Sequence, residues 1–180
     1  MRQMILSTFI VLASLFAQVC TAQPASQSDV PAGGKGSSYP PFLVKNGNRQ
    51  ISLDSIKGKV TWMNFWFEEC KPCMAEMDGI RESYEKYEKH PDFIFISLTW
   101  ENKETIDRVR TKFPMPYPVF SVSDVEAERL NGMRGYPTNI VIGKDGRILY
   151  VGIGGKTEPA EARLDLMSKV LPVIEQALKE

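Results

Sequence analysis

The chain predicts an α/β fold in which a central mixed β-sheet is flanked by helices and preceded by an N-terminal β-hairpin. Three observations carry that expectation. Residues 60–67 (VTWMNFWF) are almost continuously apolar, aromatic and β-branched, as a strand buried on both faces requires. Behind them Met74, Met77, Ile80, Tyr84 and Tyr87 recur every three or four residues, marking one apolar helix face that stops near His90 and Pro91. Residues 93–98 (FIFISL) then read as a second buried strand, and strand, helix and strand together make a βαβ unit.

The first residues carry a different signal. Arg2 precedes an apolar run over residues 4–19, followed by small residues suited to a signal peptidase. Cys20 and Ala22 would stand at −3 and −1, so cleavage after Ala22 is expected to remove residues 1–22, Cys20 included. An uncleaved transmembrane anchor and lipid attachment at Cys20 are the other readings; the run is short for a membrane span, and Gln18 and Val19 suit a lipoprotein site poorly. Residues 23–38 (QPASQSDVPAGGKGSS) hold almost no large apolar side chains, so they read as a flexible spacer, leaving residues 39–180 as the folded domain. Lys and Arg number 22, as do Asp and Glu, so no global field draws nucleic acid or an anionic membrane.

Within the domain, two strand-like runs over residues 42–53 flank Lys45, Asn46, Gly47 and Asn48, and Asn-Gly favours a type I′ hairpin turn. Residues 103–113 and 124–131 look helical, with a short strand expected inside the Pro-rich segment FPMPYPVF between them. Residues 138–142 and 147–151 flank Lys144, Asp145 and Gly146 as a second hairpin. An amphipathic helix over residues 158–178 closes the chain, its apolar face carrying Leu164, Met167, Val170, Leu171, Ile174 and Leu178. Pro172 should kink or split it.

The chemistry concentrates in FWFEECKPCMAEM. Cys70 falls where a strand ends and Cys73 falls in the first turn of the next helix, where unpaired N–H groups and the helix dipole favour a thiolate at the first position. Cys70 is the candidate nucleophile. A two-residue spacer lets Cys73 reach a mixed disulfide formed on Cys70 and release the partner, so Cys73 is the candidate resolving thiol. Pro72 sits where a helix tolerates proline. Zinc would need more N or S ligands than Cys70, Cys73 and a lone His90 supply, and neither a metal nor another cofactor is expected. An inert structural disulfide is disfavoured because staples usually close longer loops.

The pattern FWxxxCxPC after an apolar strand, with Gly135, Tyr136, Pro137 and Thr138 before a late strand, resembles the thioredoxin superfamily. The export signal, the opening hairpin, VTWMNFWFEECKPCMAEM and YPTNIVIGKDGRI most resemble its TlpA-like proteins, which include periplasmic reductants of cytochrome c maturation. The likeness runs over residues 39–180. It implies a thioredoxin-like fold, a redox-active disulfide between Cys70 and Cys73, and a cis-proline at Pro137 facing it, with Tyr136 presenting backbone to an extended substrate. Read without the resemblance, the plain alternative for Pro137 is a trans proline opening an edge strand. The resemblance also implies a catalytic role for Glu76, three residues after the second cysteine; its plain alternative is a solvated helix-face glutamate.

Two positions depart from the common thioredoxin pattern. Asn64 stands where a buried Asp assists proton transfer, and an amide cannot do that work. Glu69 stands where Trp usually precedes the nucleophile, and with Glu68 it places negative charge near the developing thiolate, opposed by Lys71. Disfavouring the thiolate favours the disulfide form, which makes a better electron donor. The expected function is therefore reduction of disulfides in exported proteins, with an apocytochrome c as one potential partner, a membrane electron donor upstream, a periplasmic location and a monomeric state. The competing readings are a disulfide oxidase or isomerase, and a non-catalytic module of the same fold that holds a partner at Tyr136 and Pro137. A peroxidase of the peroxiredoxin group would need Thr where Phe67 stands, and a copper carrier would need a longer cysteine spacing.

Overall fold

A computed structural model describes residues 31–180. The expected signal segment and residues 23–30 of the expected spacer lie outside the described residues.

The apolar run over residues 60–67 becomes β3 (Val60–Phe65), every residue of which is buried. Its neighbours explain why. β3 pairs in parallel with β4 (Phe93–Thr99) and antiparallel with β6 (Thr138–Ile142), so it occupies the centre of a five-stranded mixed sheet ordered β5-β4-β3-β6-β7. β5 (Val119–Ser121) and β7 (Ile148–Ile153) are the two outer strands. Trp66 and Phe67 leave the strand earlier than the apolar pattern suggests. Trp66 keeps a backbone bond to β4, its main-chain N–H donating to the Leu98 carbonyl at 3.1 Å, before the chain turns into the cysteine motif.

Side chains alternate across the sheet, as the pleat demands. Trp62, Phe95 and Val141 face one core with Ile80 of α1 (Lys71–Tyr87), Val109 of α2 (Lys103–Lys112), Leu166 of α4 (Pro159–Lys169) and Ile174 of α5 (Leu171–Lys179). Met63, Phe65, Ile96 and Ile140 face a second core with Leu130 of α3 (Asp124–Asn131) and Val44 of the hairpin. The fold is thus the expected α/β sheet covered on both faces.

The hairpin forms from β1 (Leu43–Asn46) and β2 (Arg49–Ser52), but its turn is shifted by one residue. Asn46 pairs with Arg49, so the loop is Gly47-Asn48, and Gly47 alone of the two has a positive φ, 56°. That pattern, with glycine first, matches a II′ turn rather than the expected I′ turn. Asn46 is instead spent on tertiary contact: its Nδ2 donates to the Val119 carbonyl of β5 at 2.8 Å.

The closing helix splits. α4 ends at Lys169 and α5 begins at Leu171, with Pro172 in the first turn of α5, where its missing N–H breaks no helical bond. Leu164, expected on the buried face, is 62 % exposed, whereas Leu166 is buried; the helix presents Ala162 and Leu166 inward.

The described part of the expected spacer is tied to the domain. The Gly36 N–H donates to the Ile148 carbonyl at 2.7 Å and the Ile148 N–H to the Ser37 carbonyl at 2.9 Å, pairing with the outer edge of β7 at its first residue. Arg134 donates to the carbonyls of Ala32 and Gly33 at 3.2 and 2.9 Å. These are bonds to the segment's backbone that a composition reading cannot see, because their partners lie about a hundred residues away.

Candidate active site

The turn between β3 and α1 places Cys70 as the N-cap of the helix. Its sulfur accepts the Cys73 N–H at 3.2 Å, and its backbone carbonyl accepts from Met74 at 3.0 Å. Cys70 and Cys73 form a disulfide with Cα atoms 5.2 Å apart. Cys70 is 5 % exposed and Cys73 is fully buried, so of the two sulfurs Cys70 is nearer to solvent. An N-cap sulfur sits at the positive end of the helix dipole, the position at which a thiolate is best supported.

The Tyr136–Pro137 peptide bond is cis. A side chain built on Gly155 would meet Pro137 at 3.2 Å and Pro72 at 3.4 Å, which places the proline of the cysteine motif and the cis-proline around one glycine. The Pro137 carbonyl accepts the Gly154 N–H at 2.8 Å, closing this loop against the end of β7. The Tyr136 ring is half-buried in an aromatic trio with Phe67 and Trp100: Phe67 stacks on Trp100 at 4.9 Å, and Tyr136 meets Trp100 and Phe67 edge-on at 4.7 and 5.5 Å. Trp100 has no place in the sequence reading, because its role depends on β4 ending beside β3.

Behind the disulfide lies Glu76. It is three residues beyond Cys73 and therefore on the same face of α1, and it is 5 % exposed, not a solvated surface glutamate. The amide of Asn64 donates to it at 2.8 Å and that of Asn139 at 3.3 Å. The two amides are brought together by sheet register, since Asn64 of β3 pairs directly with Asn139 of β6. Asn139 in turn accepts from Asn64 at 3.1 Å and from the Trp62 indole at 3.0 Å. Burial pushes the Glu76 carboxyl up to about 8, against the pull of the Asn139 and Asn64 hydrogen bonds, which favour the carboxylate. The group can thus take up and release a proton near neutrality. Asn139 was not foreseen; its only trace in the sequence is an amide inside an apolar strand, two residues after Pro137.

The two acids before the nucleophile separate. Glu68 is bound by Arg108 of α2, whose Nε donates at 2.8 Å with a second bond from Nη2, and these bonds hold the Glu68 carboxyl below its usual range. Glu69 remains exposed beside Cys70. The expected pair of free charges is therefore reduced to one. His90, at the far end of α1, is exposed and accepts the Asp92 N–H at 3.2 Å. Among the described residues no group of three or more His, Cys, Asp or Glu side chains forms a metal-ligand set.

A helix-capping Cys-X-X-Cys disulfide beside a cis-proline, on a sheet of this topology, defines a thioredoxin-fold thiol-disulfide oxidoreductase. The chain belongs to the AhpC/TSA family, whose model matches residues 36–151. It is 28 % identical over 160 residues to the thiol-disulfide oxidoreductase ResA of Geobacillus thermodenitrificans, covering 87 % of this chain and 91 % of that one. It is 30 % identical to ResA of Bacillus thuringiensis subsp. konkukian over 76 % of this chain and 79 % of the relative. Among solved structures it resembles a thioredoxin-family thiol:disulfide interchange protein from Chlorobium tepidum, with a TM-score of 0.61, 22 % identity, and coverage of 82 % of this chain and 99 % of that one. StoA from Bacillus subtilis aligns with a TM-score of 0.58 at 20 % identity, over 77 % of this chain and 98 % of its own; both structures bear on the fold alone.

Proposed function

We propose that the protein reduces disulfides in exported partner proteins by dithiol-disulfide exchange. The reduced Cys70 thiolate attacks a partner disulfide, forming a mixed disulfide and expelling one partner thiolate. Cys73 then gives its proton to the Glu76 carboxylate and attacks the Cys70 sulfur, expelling the second thiolate and closing the Cys70–Cys73 disulfide. Two electrons pass to the partner, and a membrane electron donor restores the dithiol. Pro137 and the Tyr136 backbone hold the partner segment beside Cys70. On this reading residues 1–22 direct export to the periplasm.

The observation that carries the direction of exchange is the acidic surrounding of the sulfur pair. Glu69 is exposed next to Cys70, and Glu76 is buried behind Cys73 with only amides as hydrogen-bond donors. The Glu69 carboxylate, opposed by Lys71 on the other side of Cys70, disfavours a thiolate there, and a protonated Glu76 adds no positive charge to support one; a poorly stabilised dithiol gives up its electrons readily. An apocytochrome c is one partner that fits an exported reductant of this family likeness.

The roles are tested with a Cys73→Ala variant reduced and exposed to exported proteins. Mixed disulfides should accumulate on Cys70 and be identifiable by mass spectrometry, and wild type but not Cys70→Ser should reduce insulin with a chemical donor. An empty trap together with no insulin reduction by wild type would refute the enzymatic reading.

A further inference from the structure

Glu76 is buried, yet it lines the inner end of a cleft of about 260 Å³ between β7 and α4. Tyr150 and Gly152 form the strand wall and Ala162, Asp165 and Lys169 the helix wall. Small residues keep the space open: Ala162 is buried, and a side chain on Gly152 would come within 2.5 Å of the Tyr150 hydroxyl, which lies over that glycine. The volume holds several waters at about 30 Å³ each. At the outer end Lys169 Nζ contacts Asp165 Oδ1 at 2.7 Å, with the lysine side chain 57 % exposed and the aspartate 32 %.

We propose that this cleft is the path by which Glu76 exchanges its proton with solvent, with Asp165, Lys169 and Tyr150 as positioning groups that set how readily it does so. The inference rests on the reading of Glu76 as proton partner of Cys73. When Cys73 closes the disulfide its proton passes to the Glu76 carboxylate; the resulting acid equilibrates that proton with water in the cleft, and the fraction that returns to the carboxylate is the one competent for the next turnover. The proton does not have to leave past the bound partner.

The groups facing Glu76 act in opposite senses. Asn64 from β3 and Asn139 from β6 donate hydrogen bonds that favour the carboxylate. Asp165 from α4 favours the protonated form, and Lys169 neutralises Asp165. Tyr150 from β7 and Tyr117 from the segment before β5 both respond to the charge on Glu76. Cys73 stands three residues before Glu76 on α1 itself.

The test is a carbon NMR titration of the Glu76 carboxyl in the oxidised full-length chain, paired with the pH profile of the resolving step. Asp165→Asn should move the Glu76 titration down by roughly half a pH unit and Lys169→Gln should move it up by a similar amount, with the kinetic profile following each. Neither change cuts into the core, so folding is not at stake. Ala162→Leu, which fills the cleft, should slow resolution several-fold while slowing formation of the mixed disulfide less. Superimposable titrations in the two charge variants, or unchanged resolution in a folded Ala162→Leu protein, would overturn the proposal. A glutathione equilibration that found a strong oxidant would refute the reductase reading while leaving these paired shifts in place.

Discussion

The chemistry that distinguishes this site sits on one carboxyl. Glu76 holds its proton in the folded chain up to about pH 8, whereas the same group in an unfolded chain loses it near its ordinary value of 4.5. Between those values the folded state binds the extra proton, so the contribution of Glu76 to stability falls as pH rises and levels off once both states are ionised. Glu76→Gln should therefore gain stability over wild type by roughly 1 kcal/mol per pH unit across that window, a few kcal/mol in all, and thermal melts at pH 5 and pH 8 would measure it. A pH-independent difference would mean that the carboxyl titrates normally. Asn139→Ala removes a hydrogen bond from Glu76 and strands the Trp62 indole; it should cost about 2–3 kcal/mol in chemical denaturation and raise the Glu76 carboxyl further. Cys70, Cys73 and Pro72 were legible because they sit within four residues of one another at a strand-to-helix boundary. Asn139 was not, since its meeting with Asn64 is a consequence of strand register.

At the scale of elements, the strands and helices whose apolar period is unbroken are where expectation and structure agree: β6 and α3 have the anticipated bounds, and α1 ends three residues before His90. Departures occur where a long-range contact outweighs a local preference. The hairpin turn slips by one residue as Asn46 bonds to β5, and α4 turns Leu166 rather than Leu164 to the core. Two substitutions separate these helix faces: Leu166→Ala should cost about 2–4 kcal/mol, and Leu164→Gln should stay within about 0.5 kcal/mol of wild type in urea unfolding. The turn after α3 makes a sharper demand. Gly132 has a φ of 78°, and an added Cβ would lie 2.3 Å from the Ala32 carbonyl oxygen, so Gly132→Ala combines left-handed strain with a backbone clash. It should destabilise by about 2 kcal/mol or more and loosen the segment at residues 32–38, which protease nicking there would report.

The whole molecule places a redox pair at one end of a sheet whose β7 edge is met at Ile148 by residues 36 and 37 and whose two cores are packed on opposite faces. With equal numbers of acidic and basic residues it has no long-range pull on partners, so on the proposed reading recognition falls to the surface near Cys70, where Phe67, Trp100 and Tyr136 meet. On the proposed reading the local charge there favours reduction of the partner. An oxidant needs its reduced thiolate stabilised; on the proposed reading the exposed Glu69 beside Cys70 works against that, and Arg108 is committed to Glu68. Equilibration of the Cys70–Cys73 pair with glutathione buffers measures that balance directly. The account predicts a reduction potential more negative than about −200 mV, in the range of thioredoxin and the glutaredoxins, and a value near −120 mV, that of a strong oxidant, would contradict it.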